Sequence, residues 1–111
     1  MPSQLRVYKI KPDRWDPWLK FFDSKVIPLH RAFGIPVRIA WMNREAGEFI
    51  WVRDFAADKP VHDQEQSYVS WDERLRVIGD ESKLYIESMD VRIVDLVYDA
   101  TPSSPSPSSR D

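Results

Sequence analysis

Cysteine is absent from the 111 residues, which removes disulfides, thiolate nucleophiles and thiolate metal sites together. Glycine is scarce. The three copies, Gly34, Gly47 and Gly79, stand too far apart to build a phosphate-cradling loop. Two histidines are present, His30 and His62, and neither has a metal-ligand spacing to the other or to a carboxylate, so no metal site and no cofactor are expected. No apolar run approaches the roughly 20 residues of a membrane span, and the opening MPSQLRVYKIKP lacks the apolar core of a secretory signal. The chain reads as cytosolic, with no membrane partner. Excess charge of one sign is also missing. Sixteen basic and eighteen acidic residues are interspersed for a formal net charge of −2, so no nucleic-acid partner is expected.

Aromatic residues are plentiful: five Trp, five Phe and four Tyr, enough to give one domain of this length a core and to argue against disorder. Residues 5–10 (LRVYKI) alternate and predict a strand. Lys11-Pro12-Asp13 ends it and offers Asp13 as a helix N-cap. From 14 to 33, Trp15, Trp18, Leu19, Phe22, Val26, Leu29 and Phe33 form one helical stripe. Pro28 should kink or split that helix, and Gly34 should stop it. Strands follow at 36–43 and 48–55, joined by a hairpin through Arg44, Glu45, Ala46 and Gly47. A second helix is expected over about 63–78, with Tyr68, Trp71, Leu75 and Ile78 as a weak stripe and Gly79 as stop. Residues 80–88 suit one or two more helical turns, and 90–98 a last strand. The Pro/Ser-rich end, 101–111, is expected to be a disordered tail beyond a single domain of residues 1–100.

The order strand, helix, strand, strand, helix, strand predicts a ferredoxin-like α+β fold, βαββαβ, with both helices on one face of a four-stranded antiparallel sheet. The strands are nevertheless apolar on both sides. Phe49 and Trp51 oppose Ile50 and Val52; Val91 and Ile93 oppose Val94 and Leu96. A bare apolar sheet face calls for cover, and the simplest cover is a second copy packed sheet to sheet around a two-fold axis. A homodimer is therefore expected.

Four stretches, LRVYKIKPD, PLHRAFG, RIAWM and EAGEFIWVRDF, resemble the NIPSNAP-like proteins of the dimeric α/β-barrel superfamily, over about residues 5–98. Ala40 stands where that family's glycine is expected, and Trp51 where a histidine is frequent. The resemblance implies a homodimer whose two sheets enclose a cavity, and it implies no particular reaction. Relatives elsewhere in the superfamily include cofactor-independent monooxygenases and haem-degrading enzymes, an analogy of fold.

Candidate site residues follow from the expected faces. With Leu5 and Val7 against the helices, Arg6 and Tyr8 would face the cavity between the sheets. There a cation beside a phenol suits an anionic or enolised ligand. The plainer reading pairs Arg6 with a carboxylate and packs Tyr8 in the dimer core. Trp41, and Trp51 across the hairpin, would join them around a small aromatic molecule, or simply pack. His30, near a helix end, favours the dipole there. His62 and Glu45 read as solvated. Of the adjacent Arg53 and Asp54, one must be buried with a partner, and a buried Asp54 would be the best general base. No catalytic set emerges. The competing functions are a ligand-binding dimer of unassigned activity, a cofactor-independent monooxygenase or isomerase, and a non-catalytic interaction module. A haem protein ligated by His30 is the weakest.

Overall fold

The computed structural model describes residues 2–100; the expected tail, 101–111, lies outside the described residues. Strand β1 (Pro2–Ile10) starts three residues before the alternation predicted, because its first rungs are polar. Ser3 donates to the Asp54 carboxylate at 2.6 Å, and Gln4 pairs opposite Arg53. Asp13 does not cap the first helix. It sits in a 3-10 turn, Pro12–Arg14, through which the chain enters α1 (Trp15–Phe21). One wide π turn, Phe22–Val26, then joins α1 to α2 (Ile27–Phe33).

Pro28 explains the wide turn. It has no N–H to give, and its ring would crowd the carbonyl four residues back in a regular α-helix. The helix widens instead, with the Ile27 N–H reaching back five residues to Phe22 O, so the expected split is a π bulge. Gly34 ends α2 at φ +99, donating to His30 O, a conformation open to glycine at little cost.

β2 (Val37–Asn43) and β3 (Glu48–Asp54) form the expected hairpin. The predicted second helix is two, α3 (Val61–Val69) and α4 (Asp72–Val77). Ser70 bonds back to Gln66 O, and Trp71 turns extended to lay its ring near Phe33 and Tyr68. Residues 80–88, expected as helical turns, hold a single 3-10 turn, Glu81–Leu84, and then the first rungs of β4 (Ile86–Asp95), which stops short of residue 98. The run ESMD is too polar to read as a strand, yet β1 supplies it with a ladder partner.

The strands lie in the order β2-β3-β1-β4, every neighbouring pair antiparallel. Helices cover one face of this ferredoxin-like sheet. Trp18, only 1% exposed, anchors the layer between them. Around it lie the rings of Tyr8, Phe21, Phe22, Phe49 and Tyr85, at centroid distances of 5.2–6.2 Å. A smaller cluster of Ile35, Phe55 and Tyr68 closes one end.

The register corrects one facing. Gln4, Arg6, Tyr8 and Ile10 lie under the helices with Phe49, Trp51 and Arg53, while Leu5 and Val7 look to the open face with Ile50 and Val52. The shorter aliphatics are on the uncovered side because a helix layer built of Trp and Phe needs long partners beneath it. Trp41 pairs with Ile50, so it lies on the open face and does not meet Trp51.

Trp18→Ala should cost about 3–5 kcal/mol. Urea unfolding followed by far-UV circular dichroism checks this, and a loss below about 1 kcal/mol would mean that the aromatic cluster does not anchor the fold.

Candidate functional site

A cavity of about 100 Å³ lies between the helix layer and the sheet. Three of the four predicted ligand residues meet there: Arg6, Tyr8 and Trp51 line it, together with His30, Arg53, Tyr68 and Arg74. Trp41 does not, being half exposed on the opposite face. The cavity is thus under the helices, and the expected position of Arg6, Tyr8 and Trp51 between two sheets is corrected.

β3 carries Arg53 inward, where the residue is 4% exposed and its guanidinium must find acceptors. It finds three. Nε donates to Gln4 Oε1 at 2.8 Å, Nη2 to Glu65 Oε2 at 2.8 Å, and Nη1 to His30 Nε2 at 3.0 Å. Burial, then the nearby Arg6, lowers its pKa to about 10, so it remains a cation at neutral pH. Arg6 donates from Nε to the Tyr8 hydroxyl at 2.7 Å and from Nη1 to Gln4 Oε1 at 2.5 Å, with Glu65 at 3.6 Å. Glu65 serves both guanidiniums and accepts from Gln4 Nε2 at 3.0 Å. Partial burial is the largest single influence and raises its pKa, but Gln4, Arg53 and Arg6 together outweigh it and hold the carboxyl below its ordinary value.

An arginine can only donate, so the contact with Arg53 makes His30 Nε2 an acceptor and puts the ring proton on Nδ1. Nδ1–H then donates to Val26 O at 2.8 Å, a carbonyl on the π turn. The Tyr68 hydroxyl, 3.2 Å from Nδ1, stands as a second acceptor there and keeps its own hydrogen. Burial first, then the charges of Arg53, Arg6 and Arg74 against the Val26 hydrogen bond, lowers the pKa of His30 to about 3. His30 is a neutral orienting group in place of the expected dipole partner. With both ring nitrogens engaged in a cavity of this size, it does not fit as an axial haem ligand.

Three buried side-chain N–H groups among the described residues have no hydrogen-bond partner: Trp18 Nε1, Trp51 Nε1 and Arg74 Nε. All three belong to residues lining this one cavity. Arg74 also has no carboxylate within ion-pair distance among the described residues. Three guanidiniums therefore face one carboxylate and a neutral imidazole, an excess of two positive charges. Asp54, the other candidate base, is on the open face, held by Ser3 and 3.7 Å from Arg38 Nε. His62 and Glu45 are exposed, as expected.

The convergence of Arg53, His30 and Glu65 was only half visible beforehand. The adjacent pair Arg53 and Asp54 signalled one buried charge, but nothing local tied Glu65 to β3 or showed that Arg74 would reach the cavity. Among the described residues no helix is long and apolar enough to cross a membrane, and no group of three metal-ligating side chains is gathered.

No family model matches the chain, and no curated protein matches it in sequence. Solved structures do share its fold, several of them NIPSNAP proteins. A NIPSNAP family protein from Agrobacterium tumefaciens superposes with a TM-score of 0.73 at 17% identity, covering 93% of this chain and 98% of that one. An antibiotic biosynthesis monooxygenase gives 0.64 at 14% identity, over 88% of this chain and 100% of that one. A dimeric ferredoxin-like protein from an uncultured marine organism gives 0.55 at 12% identity, over 91% and 97%. The fold is thus the one the sequence resemblance implied.

The depressed pKa of His30 fixes the sign of an acid effect. Its unfolded form binds a proton near pH 6.5 and its folded form only near pH 3. Stability is therefore full above pH 6.5 and falls as pH drops toward 3, by an order of a few kcal/mol. Glu65, with its lowered pKa, adds to the loss only below the ordinary carboxylate range. Urea unfolding at pH 7, 6 and 5 should show the decline, and His30→Gln, which can still accept from Arg53, should flatten it. An unchanged slope in that variant would remove His30 as the cause.

Proposed function

We propose that this chain is a NIPSNAP-like homodimer that binds the anionic head of a small organic acid in the cavity beneath its helices. The observation that carries this reading is the matched set of unpartnered groups. Every buried side-chain polar atom without a partner among the described residues is a donor, each on a residue lining the cavity, with two positive charges in excess. Unpaired buried donors are costly, of the order of 1–3 kcal/mol each. A carboxylate or enolate oxygen accepts several such bonds at once and offsets the charge. The flat walls of Trp51 and Tyr8 suit a planar head.

Binding fits the geometry better than proton abstraction. His30 Nε2 is occupied by Arg53, and Glu65 is shared among Gln4, Arg53 and Arg6. A monooxygenase or isomerase of this fold would have to free one of them to take a proton. A pure interaction module would leave no use for the donors.

The dimer reading rests on the open sheet face, where Ile39 and Trp41 are exposed beside the half-buried Leu5, Val7 and Ile50. A dimeric protein of similar fold supports it. The lack of cysteine suits a reducing compartment such as the cytosol.

Benzoate should bind the wild type in isothermal titration, and Arg74→Gln should weaken it by about 10–100-fold, the loss of one charge-assisted hydrogen bond. Arg74 holds no ion pair but lies over the buried Tyr68 ring at 5.5 Å, so urea unfolding of the variant beside the titration separates binding from stability. Equal binding by the variant, or no binding of benzoate, propanoate or decanoate by the wild type, would refute the anion reading. Trp41→Asp should convert the dimer to a monomer in sedimentation velocity at micromolar concentration, and a monomeric wild type would refute the sheet-to-sheet reading.

A further inference from the structure

The last strand is turned the wrong way round for a sheet with helices on one side. β4 sends Asp90 and Arg92 to the open face, where they sit beside Val7 and Leu5 and pair with each other at 2.9 Å. Met89, Val91 and Ile93 go to the helix side, while Val94, opposite Ser3, goes to the open face. Met89 lies beside Tyr8, Val91 beside Arg6 and Ile93 beside Gln4, yet they are 51%, 38% and 53% exposed. The helix layer does not reach them. α4, with the sequence DERLRV, buries none of its residues, and its Leu75 is left exposed to solvent.

This strip is continuous with the cavity. Met89 is one of the lining residues, and its sulfur is 3.7 Å from Arg6 Nη2. From Met89 to Ile93 the strip runs about 13 Å along the strand. At about 100 Å³ the cavity is well below the roughly 300–1,000 Å³ of a ligand pocket, so it holds a head group and leaves the rest of the molecule at its mouth. A second copy seated on the open face leaves the strip bare, because the strip is on the other side of the sheet.

We infer that the ligand is an amphipathic monocarboxylate: its head is held by Arg6, Arg53 and Arg74, and its hydrocarbon chain lies along Met89, Val91 and Ile93 on the helix side of β4. This rests on the anion-binding reading and adds the class of acid. The cavity lining places the head, since Met89 is the strip residue that lines the cavity and it meets Arg6 there. The apolar strip beyond it is long enough for a medium-length acyl chain and too narrow for a folded partner.

The test compares propanoate with decanoate, the latter below its micelle-forming concentration, by quenching of tryptophan fluorescence in the full-length protein. Decanoate should bind at least about tenfold more tightly, since each buried methylene adds affinity. Ile93→Ser should reduce decanoate binding severalfold and leave propanoate unchanged, with sedimentation velocity run on the same variant. Equal affinities for the two acids in the wild type would overturn the inference while leaving the anion site standing. Failure of both acids to bind would instead remove the site itself. Loss of the dimer in Ile93→Ser would overturn the inference too, by giving the strip to a second copy. The wild-type comparison decides even if the variant does not fold.

Discussion

A guanidinium cannot shed its charge at neutral pH, so burying Arg53 obliges the fold to bring acceptors to it. Gln4 comes from β1, His30 from α2 and Glu65 from α3, and Arg53 itself is on β3. Four elements far apart in sequence are thereby held in one arrangement. The consequences spread outward. Gln4 is fixed, so Arg6 has a place to donate; His30 is fixed in one tautomer, so the Tyr68 hydroxyl stands where it does. An all-apolar layer at this place would hold the fold equally well, but it would not orient three arginines around a cavity.

Much of the architecture was legible because it is written in periodicity. The helical stripe from Trp15, the hairpin about Gly47 and the apolar alternation of the strands each report a local geometry. Element ends were less legible where polar residues do the pairing: Ser3 and Gln4 at the start of β1, and Glu87 to Asp90 at the start of β4. The break at Ser70 and Trp71 lay inside an apparently continuous pattern, since Trp71 counts as apolar whether it continues a helix or caps the next one.

Arg6, Tyr8 and Trp51, named from the sequence, line one cavity, but Trp41 does not. Arg6, Tyr8 and Trp51 do share a face, as their spacing and pairing required, but the side of the sheet was inverted. Two residues apart on a strand is a strong constraint; which face is buried under helices is not local information. Arg74 and Glu65 were out of reach for the same reason. Each is one charge among many on a helix of low amphipathicity, and only the packing singles it out.

The widened turn before Pro28 has a consequence for chain length. A π turn holds one residue more than the α turn it replaces. Loss of a residue between 22 and 26, together with Pro28, would shorten the helix to regular form with everything after it in the same rotational phase, His30 still aimed at Arg53. Gain or loss of a residue elsewhere in α1 or α2 would swing the following side chains by about 100°. The π turn is therefore the one place along this helix where relatives can differ in length by a residue without disturbing what the helix presents to the sheet.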